Sequence, residues 1–169
     1  MGREWTITPE LPHSPTARTL WRAYYTEVSD RWYLLHEGRR TDPDELEREV
    51  AADPGADFVP PDGLLLIARR AGEPGGMAGV RLLDARTAEL KRVFVIEAMR
   101  RRGGAALLVA AAEEAAREMG ARRMVLDTRT DLVEARTLYT RLGYTEIEPY
   151  NQSPYSQHWF GKRLAEEPE

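Results

Sequence analysis

The sequence predicts an α/β protein, built on one mixed sheet of about seven strands with helices on its flanks. Three observations carry that expectation. Residues 88–119 open with the strand formers Leu90, Val93, Phe94, Val95 and Ile96 and break at Arg100-Arg101-Arg102-Gly103-Gly104. They then continue as a breaker-free run of Ala, Leu and Glu, the composition of a helix. Before them, apolar runs at residues 64–69 and 77–84 flank the turn chemistry of residues 71–76, which predicts an antiparallel hairpin. After them come a strand at 123–128, a helix at 132–142 and short strands at 144–147 and 158–164. The resulting order is β, α, α, β, β, β, α, β, α, β, β: a three-strand meander, one right-handed βαβ crossover, then a helix and a closing hairpin.

The remaining elements are legible from their ends. Residues 5–8 make a short strand, stopped by Pro9 and Pro12. Ser14 followed by Pro15 is a helix start, Ser as N-cap and Pro in the first turn. The helix buries Ala17, Leu20, Trp21, Tyr24 and Val28 at helical spacing and turns Arg18, Arg22 and Glu27 the other way. Asp42 caps a second helix, with Glu45 spaced for a capping box, and this helix reaches about residue 52. Residues 53–63 hold three prolines and two glycines and form a loop. Gly120 and Gly143 end the two later helices.

Composition narrows the function. At 169 residues the chain suits a single domain over 1–169, with the helices of 14–52 beside a core at 64–164. Hydrophobic residues make up 42% and charged residues 31%, and the net charge of −4 argues against a general nucleic-acid binder. Arg100, Arg101 and Arg102 therefore form a local patch. With no cysteine there is neither a disulfide nor a thiolate metal site, and His13, His36 and His158 lack metal-ligand spacing, so no metal is expected. No apolar run reaches membrane length and the first residues carry no signal-peptide pattern, which predicts a cytoplasmic protein without a membrane partner.

The basic glycine turn carries the chemistry. A strand that runs through glycines into a helix start exposes N–H groups with no intrahelical acceptor at the positive end of the helix dipole, and so suits an anion. Neither GxxxxGK[ST] nor GxGxxG is present. What stands there, Arg100-x-x-Gly103-x-Ala105, resembles the pyrophosphate loop of the GNAT N-acetyltransferase superfamily. Leu126-Asp127-Thr128 on the next strand, and Ala135-x-x-Leu138-Tyr139-x-x-Leu142-Gly143-Tyr144 after it, are similar to further motifs of the same family. The resemblance covers residues 64–164. Four departures stand out. Gly104 replaces a branched aliphatic residue, which predicts a more flexible loop. Ala105 replaces a second glycine, Leu132 stands where many members have an Asn that touches the cofactor, with Asp131 as a substitute, and the usual proline before the loop is missing.

The resemblance implies direct transfer of an acetyl group from acetyl-CoA to an amine, with a small-molecule amine acceptor as partner and a homodimer left open. It assigns the pyrophosphate to the backbone of Arg101, Arg102, Gly103, Gly104, Ala105 and Ala106, with the arginine side chains of Arg100 to Arg102 in support. It places the acetyl oxyanion at the backbone N–H of Val93 on a bulged strand, the pantetheine arm along Val93, Phe94 and Val95, and the proton for the leaving thiolate on Tyr139. Glu89 lies eleven residues before Arg100, the spacing of the catalytic glutamate in histone-acetylating members, and regular alternation puts it on the face of Lys91, Val93 and Val95. It is the first choice for the base, working through water, against a same-face ion pair with Lys91; Asp127 and Glu27 are the other candidates. Tyr24, Tyr25, Glu27, Tyr150 and Asn151 are the candidates for the acceptor pocket. A non-catalytic acyl-CoA sensor of the same fold is the alternative function.

Overall fold

In the computed structural model, which describes residues 4–165, seven strands form a single sheet. They are β1 (Trp5–Pro9), β2 (Gly63–Arg70), β3 (Glu73–Leu82), β4 (Thr87–Val95), β5 (Arg123–Thr128), β6 (Thr145–Glu146) and β7 (His158–Arg163). The helices are α1 (Pro15–Glu37), α2 (Pro43–Ala52), α3 (Gly104–Glu118) and α4 (Val133–Arg141), and a short 3₁₀ turn covers Glu97–Met99. The spatial order is β1-β2-β3-β4-β5-β7-β6; only β4 and β5 are parallel, and β7 inserts between β5 and β6. The expected mixed α/β sheet is the one observed.

Two apolar cores explain the layering. One face of the sheet sends Leu66, Ala78, Val80, Leu90 and Leu126 against Leu108, Val109 and Ala112 of α3, with Tyr139 of α4 in the same cluster. The other face sends Leu65, Ile67, Met77 and Phe94 against Leu20 and Trp21 of α1, Val50 of α2 and Phe58. Helix starts follow the sequence. The Ser14 hydroxyl accepts from the Ala17 N–H at 3.0 Å, and the Asp42 carboxylate accepts from the Asp44 N–H at 2.8 Å. The expected capping box does not form, because Glu45 instead accepts from the Tyr33 hydroxyl at 2.5 Å, tying α2 to α1.

Two local expectations are corrected by packing. The turn between β2 and β3 is only Ala71-Gly72, both at positive φ (51° and 83°), and β3 begins at Glu73 rather than Met77. Positive φ at both central residues is what a tight hairpin demands. The glycines that looked like turn residues are strand residues without room for a side chain: a Cβ on Gly75 would lie 2.1 Å from the Met99 sulfur. The second correction concerns Gly104. It is buried at the start of α3, where a Cβ would lie 2.7 Å from the Trp5 ring. The Trp5 indole N–H also donates to the Arg102 carbonyl at 2.9 Å. The missing side chain is thus replaced by an indole from β1, which braces the loop where flexibility was expected.

The feature that shapes the site lies in β4. Between Gly79↔Lys91 and Met77↔Phe94, β3 supplies Ala78 alone while β4 supplies Arg92 and Val93. This is a β-bulge, and Arg92 adopts a left-handed φ of 59° to make it. The extra residue breaks the alternation on which the face of Glu89 was predicted. Glu89 and Lys91 project to the α1 side, with Arg92 and Phe94, whereas Val93 and Val95 belong to the α3 side. Glu89 therefore does not share a face with Val93 and Val95.

Candidate active site

Strands β4 and β5 are joined only from Thr87↔Arg123 to Glu89↔Val125. Beyond Glu89, β4 runs on to Val95 without pairing to β5, and the two strands open around a cleft of about 1330 Å³. Its middle is formed by the bulge (Lys91, Arg92, Val93), Asp127 and Tyr139. One end reaches the loop before α3 through Val95, Arg101 and Ala105; the other is walled by Tyr24, Tyr25, Trp32 and Tyr155. Two expected groups, the loop with Tyr139 and the aromatic part of α1, thus meet in one cavity.

The loop end offers backbone donors. Gly103, the N-cap of α3, is left-handed (φ 81°) and provides no side-chain cap. Leu107 is the first residue of α3 whose N–H closes back onto the Gly103 carbonyl, at 3.1 Å, so the N–H groups of Gly104, Ala105 and Ala106 have no acceptor within the helix. A Cβ on Gly103 would meet nothing within 4 Å, which leaves room for a ligand against the backbone. Arg101 and Arg102 are exposed beside it. Arg100 points elsewhere: its Nε donates to the Val95 carbonyl at 2.8 Å and its Nη2 to Glu27 at 2.5 Å, so it joins the loop to α1. Leu132 lines the cleft while the Asp131 carboxylate accepts two bonds from Arg129, each 2.9 Å.

Tyr139 is 7% exposed, packs edge-on against Tyr144, and among the described residues its hydroxyl makes no hydrogen bond. Burial pushes its phenol above the ordinary value, and Tyr24 and Asp127 add to that. It therefore keeps its proton at neutral pH. Burial also works to raise the Asp127 carboxyl, but the Lys91 charge and the side chains of Asn151 and Ser156 outweigh it and hold Asp127 below its ordinary value. Asp127 is thus an anion. The Asn151 amide (2.7 Å) and Lys91 (3.5 Å) both meet its Oδ2.

Glu89 sits behind this surface. It is 1% exposed and does not line the cleft; Arg81 donates to it at 2.9 Å, the Tyr150 hydroxyl donates at 2.7 Å, and Lys91 stands 3.7 Å away. Tyr150 and Asn151 likewise point into the sheet: Asn151 also accepts from the Trp159 indole at 2.9 Å, so these two residues anchor the loop before β7. Glu89→Gln keeps the shape but removes the buried anion between Arg81 and Lys91. The expected loss is about 3 kcal/mol of stability, seen as a lower midpoint in thermal unfolding. An unchanged midpoint would show that the ion pairs around Glu89 carry no stability.

Arg92 and Asp53 are site residues that sequence reasoning missed. Arg92 Nη2 donates to Asp53 at 2.6 Å and to the Tyr25 hydroxyl at 3.1 Å, and the guanidinium lies 5.4–5.9 Å from the ring centres of Trp21, Tyr24 and Tyr25. Nothing in the sequence marks a bulge at Arg92, and Asp53 reads as an ordinary loop residue. No helix of the described residues is long and apolar enough to cross a membrane, and none of their acidic or histidine side chains form a cluster of three or more that could hold a metal.

The arrangement combines a helix start with free backbone N–H donors, a bulged strand beside an open cleft and a protonated phenol in the cleft wall. Among solved structures, a Klebsiella pneumoniae protein assigned as an acyl-CoA N-acyltransferase is similar at 25% identity and a TM-score of 0.69, over 95% of this chain and 98% of that one. A GNAT-family acetyltransferase from Staphylococcus aureus aligns with a TM-score of 0.74 at 15% identity, over 95% and 99% of the two chains. The PaiA N-acetyltransferase of Thermoplasma acidophilum, solved in complex with coenzyme A, aligns with a TM-score of 0.72 at 12% identity, again over 95% and 99%. The last two are likenesses of fold. No curated protein sequence matches significantly. The sequence profile of the acetyltransferase (GNAT) family matches residues 17–144, from the first turn of α1 past the loop and Tyr139. The chain belongs to the acetyltransferase (GNAT) family.

Proposed function

We propose that the protein is an N-acetyltransferase that moves an acetyl group from acetyl-CoA to the amine of a small polar acceptor by direct attack in the cleft. The observation that carries this reading is the Tyr139 hydroxyl, buried in the cleft wall, without a protein partner among the described residues, and held protonated by its surroundings. A phenol in that state is an acid waiting for a base to protonate.

Acetyl-CoA supplies a thioester carbonyl and, once attacked, a thiolate leaving group. The residues present fit it. The free N–H groups of Gly104, Ala105 and Ala106, with Arg101 beside them, suit a diphosphate. Val93, outside the β3 ladder and beyond the β5 pairing, has backbone free to face a developing oxyanion. Tyr139 provides the proton for the departing sulfur. Asp127 is the cleft carboxylate whose charge reaches the Tyr139 phenol; it draws the acceptor's ammonium and takes up the proton that the amine gives up. Glu89, which stood first for that task, acts as a positioning residue through Lys91 and Tyr150.

The test is CoA release from acetyl-CoA across classes of amine, read with a thiol reagent; with no cysteine in the chain, the signal is CoA alone. Transfer to an amine class, together with protection by acetyl-CoA against thermal unfolding, is the expected result. Protection without CoA release would favour the sensor reading. Gly103→Glu sets bulk and negative charge against the diphosphate and forces a left-handed glutamate. It should abolish the protection, and undiminished protection would refute the loop's role.

A further inference from the structure

Acceptor chemistry can be approached through the charges on the α1 side of the cleft. In a regular strand neighbouring side chains face opposite ways. The bulge instead sets Lys91 and Arg92 on the same side, Lys91 beside Asp127 and Arg92 beside Asp53. Most charged groups around them are satisfied by each other. Arg31 binds Glu134 at 2.8 Å and the Asp131 carbonyl at 2.6 Å; Arg129 binds Asp131; Glu27 accepts from Arg100.

On Asp127, Lys91 and the Asn151 amide both meet Oδ2, and the Ser156 side chain adds to the hold on the carboxylate. Arg92 is satisfied only in part. Arg92 uses a single nitrogen: both of its hydrogen bonds leave from Nη2, and among the described residues neither Nε nor Nη1 has an acceptor. Its Nε is buried in that state, which is costly for a guanidinium. Holding this side chain in the cleft also needs a non-glycine residue at φ 59°, a strained conformation of the kind that gathers at ligand sites.

We infer that the acceptor is an amine that also bears a carboxylate, an amino acid in the broad sense, with its ammonium at Asp127 and its carboxylate at the guanidinium of Arg92. The inference rests on the acetyl-transfer reading above and narrows it. An anion at Nη1 of Arg92 meets a charged donor that the protein leaves open, through a charge-assisted hydrogen bond. Asp53 pairs with Nη2 of this guanidinium at 2.6 Å, and a second ammonium at Nη1 would still meet a cationic group that offers only donors. Glu49 and Glu97, which also line the cleft and have no ion-pair partner among the described residues, are the groups there that would suit a diamine.

The experiment measures CoA release with matched acceptors: α-amino acids, their carboxamides, the corresponding amines without the carboxyl group, and aliphatic diamines. The free acids should show kcat/KM values roughly 10- to 100-fold above their carboxamides, the range expected for a charge-assisted hydrogen bond. In Arg92→Gln, and in Arg92→Lys if the first fails to fold, that ratio should fall toward one. Equal use of acids and carboxamides, or a preference for diamines, overturns the inference and leaves acetyl transfer standing. A ratio unchanged in the Arg92 variant overturns the assignment to its guanidinium. If no amine of any kind releases CoA while acetyl-CoA still protects against unfolding, the catalytic reading fails and the inference with it.

Discussion

Tyr139→Phe should turn over at about one-hundredth of the wild-type rate while its affinity for acetyl-CoA stays within a factor of two or so, the size of effect expected when one proton donor is removed. The substitution removes only an oxygen. The ring packs against Tyr144 and Phe160, contacts that phenylalanine keeps, and the hydroxyl makes no hydrogen bond to the described residues that would be broken. Stability should therefore change little, and a loss confined to kcat would point to an interaction made only in the transition state. The phenol lies above its ordinary value because of burial, so it remains protonated across the neutral range. The deficit should then be constant between about pH 6 and 9, the range in which neither an ordinary nor a raised phenol ionises. Equal turnover in the two proteins would leave Tyr139 a packing residue.

Gly104→Val should be the most damaging change outside the catalytic groups. The helix start is buried, and the added Cβ would lie 2.7–3.0 Å from three atoms of the Trp5 ring. The expected cost is about 3 kcal/mol, the upper part of the range for overpacking. For a chain of this size that corresponds to roughly 6–12 °C in Tm. Binding of acetyl-CoA should weaken as well, because the same indole holds the Arg102 carbonyl through its N–H. Trp5→Ala makes a cavity and destabilises by itself. In the double variant the valine occupies part of that cavity, so the two losses should be less than additive by about 1–2 kcal/mol, within the coupling seen between touching residues. Strict additivity in thermal or urea unfolding would show that Trp5 is not what excludes a side chain at residue 104.

Both predictions mark the boundary between local and distant information. Tyr139 was legible because its helix is announced by spacing and by Gly143, and because it stands in a recognisable pattern of neighbours. Gly104 was legible as a departure, but its meaning was not. The residue that explains it is Trp5, nearly a hundred positions earlier and on another strand. The acceptor loop is a similar case. Tyr150 and Asn151 look like pocket residues in a polar, aromatic stretch, yet their polar groups turn inward to Glu89, Asp127 and Trp159 and hold the loop down.

The sequence by itself determined the order of elements, the caps of α1 and α2 at Ser14 and Asp42, the glycine start of α3 with its free N–H groups, the mixed sheet and the family. These follow from periodicity, capping chemistry and short motifs, all of which act over a few residues. Tertiary structure decided the bulge at Arg92, the side of the sheet on which Glu89 lies, the extent of the β2–β3 turn and the surroundings of Gly104. A bulge is a mismatch between two paired strands, so it belongs to β3 and β4 together and leaves no mark in either alone. One extra residue in β4 exchanges the two faces of the strand beyond it, because side chains alternate with a period of two. That single exchange brings Arg92 to the α1 side and moves Val93 and Val95 away from the face of Glu89.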